Sequence, residues 1–304
     1  MYSFPFPFEE GQSHYFYKNN AVQMKNRTTV QITPNYLKEM KLKRDTIIKN
    51  PERCFVALDH TYEAQWEATL YIAKELALRY PDTFTMTSRK YGFTLNNHLL
   101  KEEVRFDYKV NKEPLNDIGK HVQEDLILMF QREGQLFLDA GQLCFPSNWS
   151  LAFNKGMAFM DIHRPVPGFQ EGQLDRRIER FLLHLCPGDP FERSNWSLMA
   201  GETLNTHLET FPEWGKKRYS VTEDTVGNYV HVRVEVQKLH RLPKTYTILF
   251  TIHTHLLSLK ELSKDLNKAN QLYTILLSLP KPIEEYKGIT PYKSHVMNYL
   301  EGVL

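Results

Sequence analysis

The chain has 304 residues, 41% of them hydrophobic and 24% charged, which is enough apolar material for a sizeable core. A net charge of +2 with no long Lys/Arg block excludes a nucleic-acid footprint, and no run of about 18 apolar residues is present to span a bilayer. Cys54, Cys144 and Cys186 form no close pair, which argues against a disulfide framework or a zinc site; inert burial is the reading of all three, with a thiolate ligand to iron as the alternative for Cys186.

In chain order, Pro5, Pro7, Pro34 and Pro51 break residues 1–58 into what reads as an irregular N-terminal arm. Within it, the basic stretch 38–49 reads as a solvated helix face. The N-terminus lacks a basic region followed by an apolar run, so a cytoplasmic, soluble protein is expected. Residues 59–304 read as a single domain. Its first element is an amphipathic helix with Asp59 as N-cap, Tyr62, Trp66, Leu70, Ala73, Leu76 and Tyr80 on one stripe, and Pro81 as its stop.

Residues 84–120 are mixed and polar and carry no clear period. Residues 125–131 and 135–140 flank the turn Arg132-Glu133-Gly134, as the strands of a β-hairpin do. Ser147 or Asn148 is placed to cap a short helix that Gly156 ends. In the next segment, Ile162-His163-Arg164-Pro165-Val166-Pro167, two prolines hold the backbone extended. A helix follows over about residues 172–185, with Leu174, Ile178, Phe181, Leu182 and Leu185 as its core stripe. Ser194-Asn-Trp-Ser-Leu198 repeats Ser147-Asn-Trp-Ser-Leu151, a match short enough to be chance. Residues 229–237 and 246–255 form a second hairpin, and residues 256–279 an apolar helix that Pro280 and Pro282 break. Helices alternating with hairpins predict an α+β fold, an antiparallel sheet with helices packed on it.

Several residues are candidates for chemistry. His163 follows Met157, Phe159, Met160 and Ile162, and a neutral imidazole in apolar surroundings suits iron; a hydrogen-bonded or surface histidine fits the same pattern. Asp161 is a candidate to orient it. Alternation puts His231, Arg233, Glu235 and Gln237 on one face of their strand and Val230, Val232, Val234 and Val236 on the other. That polar face is either solvated or the wall of a ligand cavity, where Arg233 would neutralise a carboxylate and Glu235 would bind a cationic amine. Trp149 and Trp196 read as core or pocket walls. His253 and His255 share a strand face, a weak metal signal on their own. Nucleotide-binding glycine motifs and the H-E-x-x-H and G-x-S-x-G motifs are absent.

Taken in order, Val122-Gln-Glu-Asp-Leu126, Cys144-Phe-Pro-Ser-Asn-Trp149, Lys155-Gly156, Ile162-His-Arg-Pro-Val-Pro167, Arg193-Ser-Asn-Trp196, Val232-Arg-Val-Glu-Val-Gln-Lys-Leu239 and Arg241-Leu-Pro243 resemble the haem-dependent oxidative N-demethylase alpha-subunit-like family over roughly residues 30–300. The resemblance implies a PAS-like haem domain with helical N- and C-terminal extensions. It implies dioxygen-dependent removal of a methyl group from a small secondary amine, dimethylamine-like, with release of formaldehyde. Electrons would come from NADPH through partner subunits carrying flavin and an iron–sulfur cluster. It also implies His163 as the iron's proximal ligand, Trp149, Arg193, Trp196 and Gln237 as haem-pocket residues, and Arg233 and Glu235 as the catalytic pair. A haem-binding PAS-like sensor or binding module without turnover is the alternative. The sequence departs from the family pattern at Val236 (often Arg), at His253-Thr-His255 (often Arg-Thr-Tyr-like) and at Arg164 (usually small).

Overall fold

The computed structural model describes residues 2–16 and 20–304. Its centre is a seven-stranded antiparallel sheet in the order β1-β8-β9-β10-β6-β7-β2. The strands are β1 (Val22–Gln23), β2 (Phe55–Ala57), β6 (Asp125–Arg132), β7 (Gln135–Gln142), β8 (Phe191–Ala200), β9 (Val230–Arg241) and β10 (Ile248–Ser258). A separate three-stranded sheet, β3 (Phe84–Arg89), β4 (Gly92–Asn97) and β5 (Glu102–Asp107), fills the stretch that carried no clear period in sequence. The helices are α1 (Tyr36–Lys49), α2 (Pro51–Cys54), α3 (Tyr62–Arg79), α4 (Pro114–Gly119), α5 (Leu151–Asn154), α6 (Phe159–His163), α7 (Leu174–Leu183), α8 (Phe211–Trp214), α9 (Val226–Tyr229), α10 (Leu259–Leu262), α11 (Leu266–Leu277), α12 (Lys281–Tyr286) and α13 (Lys293–Val303). The fold is α+β, and no described helix is long and apolar enough to cross a membrane.

Alternation along the strands divides the core between the two faces of the large sheet. On one face, Val230, Val232 and Val234 of β9 and Leu198 of β8 pack with Leu272 and Ile275 of α11 and Val296 and Leu300 of α13. Further along the same face, Leu126, Leu128 and Leu249 meet Ile72 and Leu76 of α3, together with Phe93 and Phe106 of the small sheet. On the opposite face, Ile127, Leu138, Leu239 and Ile252 meet Ile178 and Leu182 of α7. The β6–β7 register shifts after Leu128. This bulge lets Leu138 and Ala140, two residues apart, join cores on opposite faces. The β6–β7 turn is tight because Glu133 and Gly134 both take positive φ (51° and 75°), as a two-residue type I′ turn requires.

The N-terminal stretch is less irregular than its prolines suggest. α1 is a full helix, and Lys43 on it is buried rather than solvated. Its ammonium donates to the carbonyl of Val122 at 3.1 Å and lies 3.7 Å from Asp125. The Val122–Leu126 motif holds this region together. Gln123 and Glu124 accept from the backbone N–H groups of Thr33 and Gln31, and Asp125 accepts from those of Cys144 and Phe145. Downstream, β10 runs to Ser258, and the helix expected over 256–279 divides into α10 and α11 with separate caps, Ser258 and Asp265. Ser147–Leu151 ends at a helix cap, whereas Ser194–Leu198 lies in β8, so the five-residue repeat has no structural counterpart.

Candidate functional site

Between the Ile127/Leu239 face of the large sheet and the segment carrying α5 to α7 lies a cavity of about 310 Å³. Its floor includes Ile127, Leu138, Leu239, Phe250 and Ile252, and its cover includes Trp149, Phe159, Phe169, Ile178 and Leu182. At one end the lining turns polar. There Arg193 and Asn195 of β8 pair in register with Gln237 and Glu235 of β9, and Lys287 joins them from the end of α12. Alternation with period two places these strand residues on one face.

His163 stands on the cover. It is the last residue of α6 and not part of an extended segment, because Pro165 and Pro167 act after it. Arg164 still has helical dihedrals (φ −53°, ψ −37°), and the helical path breaks beyond it. The helical turn brings His163 Nδ1 within 2.9 Å of the Phe159 carbonyl. A carbonyl only accepts, so Nδ1 carries the proton and Nε2 the lone pair. No described residue hydrogen-bonds Nε2. The ring packs against Phe159 and Phe169, with centroids 4.1 and 5.3 Å away. Burial pushes its pKa down to about 4; the Phe159 hydrogen bond opposes this and the Arg193 charge adds to it. The imidazole is therefore neutral at pH 7, the form that ligates iron. Asp161 does not orient it and pairs with Arg164 at 2.5 Å instead.

The polar face of β9 is buried along its whole length, so it is no solvated face. Glu235 lines the cavity and accepts from Gln237 Nε2 at 3.1 Å, Asn195 Nδ2 at 3.3 Å and Arg233 Nη2 at 3.4 Å. Arg233 itself does not line the cavity. Its guanidinium donates to the carbonyls of Phe145 (2.7 Å) and Leu204 (3.0 Å) and to Thr254 Oγ1 (3.3 Å). It braces Glu235 from behind and ties the strand to the loop that leads to Trp149. His231 turns away, with its Nδ1 3.2 Å from the Tyr229 carbonyl.

The model of the family described as haem-dependent oxidative N-demethylase, alpha subunit-like, matches residues 20–297. The chain belongs to this family. The family name carries haem dependence, and the cavity can be tested against that group. An iron held in a porphyrin needs only an axial donor from the protein, whereas a bare ion takes three or four. Among the described residues no three His, Cys, Asp or Glu side chains are grouped to hold a metal ion. One neutral imidazole whose Nε2 no described residue hydrogen-bonds, lining an apolar and aromatic cavity with cations at one end, fits a haem.

The cavity gathers Trp149, His163, Arg193, Trp196, Glu235 and Gln237, and leaves Arg233 outside. Asn195 and Lys287 were missed. Asn195 was legible, since it alternates with Arg193 on β8. Lys287 was not, because nothing local marks a lysine after a six-residue helix as facing a cavity. Asn148 also lines the cavity, with φ of 59°, a left-handed conformation that asparagine tolerates.

One other expectation changes. Cys186 is exposed, whereas Cys54 and Cys144 are buried. His253 and His255 share a face, but it is the one opposite the cavity, and their rings stack at 4.1 Å. His253 lies 3.1 Å from Glu124 and 3.8 Å from Glu39. Burial alone would lower its pKa, but the two carboxylates outweigh burial and lift it to about 9.

Proposed function

We propose that this chain is the haem-carrying subunit of an oxidative N-demethylase acting on a small secondary amine of the dimethylamine type. His163 would hold the haem iron through Nε2. Haem, when bound, would supply the site of dioxygen binding and reduction. The overall change is (CH3)2NH + O2 + 2 e− + 2 H+ → CH3NH2 + HCHO + H2O. The electrons would be delivered from NADPH through partner flavin and iron–sulfur subunits.

The observation that carries the reading is the pairing, within one largely apolar cavity, of a neutral imidazole with a free nitrogen and a buried carboxylate. Each has its own task. Glu235, held by Gln237, Asn195 and Arg233, accepts the N–H groups of the substrate ammonium and fixes its nitrogen. Phe250, Ile252 and Trp149 offer apolar surface to the methyl groups and exclude water. The Phe159 carbonyl fixes the His163 tautomer, so that Nε2 and not Nδ1 faces a metal.

The test is an absorption spectrum of haem-supplied protein in ferric, ferrous and CO-bound states, followed by amine consumption with formaldehyde release under an electron donor. Wild type should give a Soret band with a histidine-type ferrous-CO shift, and His163→Ala should lose stoichiometric haem. Full haem occupancy with an unchanged spectrum in His163→Ala would overturn the ligand assignment. Haem binding without amine turnover would overturn the enzymatic reading.

A further inference from the structure

We propose that Lys287, with Arg193 beside it, forms a carboxylate-binding edge of the cavity that receives the haem propionates, an inference that rests on the haem reading above. Both cations line a cavity whose remaining walls are mostly apolar. Lys287 follows α12, and its backbone N–H bonds the Ile283 carbonyl at 2.9 Å. The next residue, Gly288, has φ of 65° and lies against the Arg218 guanidinium, where a Cβ would come within 2.2 Å of Arg218 Cζ. The backbone that presents Lys287 is therefore fixed by packing on its far side.

The ammonium is partly satisfied. It donates to the Trp196 carbonyl at 2.5 Å and sits 4.9 Å from the centre of the Trp196 ring. Among the described residues no carboxylate oxygen lies within 4.0 Å of it. The neighbouring acids are engaged elsewhere: Glu235 by Gln237, Asn195 and Arg233, and Glu284 by Lys281 and Lys293. Burial lowers the Lys287 pKa to about 8; Glu235 opposes this and the charge of Arg193 adds to it. Lys287, with no carboxylate partner among the described residues, and Arg193 line the same cavity, an arrangement that a bound anion stabilises. The substrate amine is itself a cation, so it is repelled from this edge and left to Glu235. The ligand chemistry that fits is a carboxylate with an apolar body lying in the cavity.

Haem and its dimethyl ester, whose propionates are neutral, are titrated into haem-free wild type and Lys287→Met, following the Soret band. Wild type should bind haem at least about tenfold more tightly than the ester, the scale of a charge-assisted hydrogen bond. Lys287→Met should lose about tenfold in haem affinity while its ester affinity stays within about twofold. A second arm compares dimethylamine with N-methylglycine as ligands of the haem-loaded proteins. Equal haem affinity in the two proteins, or an equal loss for haem and ester, overturns the proposal. A wild-type preference for N-methylglycine that Lys287→Met abolishes also overturns it and assigns the edge to a substrate carboxylate. If wild type binds neither haem nor ester, the haem reading itself fails, and that outcome is distinct from the others. Circular dichroism of Lys287→Met guards against a loss of fold, and Lys287→Arg should restore the preference for haem over its ester.

Discussion

Replacing Arg233 with methionine removes the charge and donors but keeps most of the length, and it separates a brace from a cavity residue. Arg233 is 1% exposed, so solvent cannot compensate. The Leu204 carbonyl loses a donor, at about 1–3 kcal/mol, and the Phe145 carbonyl is left with Thr254 Oγ1 at 3.4 Å. Glu235 keeps Asn195 and Gln237 but loses its charged partner, and an unpaired buried charge costs about 3–5 kcal/mol. These contributions overlap, so the net expectation for Arg233→Met is a loss of about 3–5 kcal/mol, or a Tm lower by about 5–8 °C. Adding Glu235→Gln removes the stranded charge. The double variant should therefore be less destabilised than the two singles sum to, with a coupling of about 1–3 kcal/mol. Urea unfolding of the haem-free wild type, both singles and the double measures all of this. A loss below about 1 kcal/mol for Arg233→Met, or strict additivity, would refute the bracing role.

Stability of the haem-free protein should fall on acidification. Burial pushes His121 and His163 down to about 4 and His240 to about 3. Their folded values lie below the unfolded value of about 6.5, so the unfolded chain binds more protons and stability is lost as pH drops through 6.5 toward 4. His253, lifted to about 9, works in the opposite sense, its contribution fading between 6.5 and 9. A urea midpoint that is no lower at pH 5 than at pH 7 would contradict the buried neutral imidazoles. Arg241 donates to the carbonyls of Leu182, Leu183 and Leu185 at the end of α7, at 2.8, 3.1 and 3.0 Å. Arg241→Ala should thus lower amide-exchange protection in residues 174–183 by at least tenfold while leaving β9 protected, and uniform protection loss would show a global effect instead.

The two hairpins, α3 and α7 were legible because their periods are strong and their turns carry the expected chemistry. The polar face of β9 was legible as a face, but not as a buried one. Alternation assigns residues to sides of a strand and says nothing of what covers each side. The cover comes from residues 147–182, some 50 to 90 positions earlier. The small sheet escaped notice because β3 and β5 each expose one polar face, and the β3–β4 turn at Lys90-Tyr91 lacks the Asn-Gly chemistry that marks a hairpin. Lys43 looked solvated because its partners, Val122, Glu124 and Asp125, lie about 80 residues away. The two prolines beside His163 suggested extended backbone, yet proline limits mainly its own and the preceding residue, and His163 lies two positions ahead of the first. A resemblance in sequence could carry His163, Glu235 and the two tryptophans to the cavity, but Lys287 becomes visible only when α12 is placed against β8.

The energetics of β9 favour a functional reading of its polar face. A strand buried on both sides is most stable with apolar residues on both, as the Val230–Val236 face shows. Setting Glu235, Gln237 and Arg233 on the other side costs desolvation that hydrogen bonds only offset, and replacing such buried charged groups with well-packed apolar residues is often neutral or stabilising. Stability alone therefore gives no reason for them. Arg233, Asn195 and Gln237 together hydrogen-bond the carboxylate and leave Glu235 at the cavity wall. The network holds a carboxyl group at the wall of a largely apolar cavity that Arg193 and Lys287 also line. In the proposed site Glu235 would face the substrate amine and Arg193 and Lys287 the haem propionates; the register of β8 against β9 sets Arg193 opposite Gln237 and Asn195 opposite Glu235, and the end of α12 brings Lys287 to them.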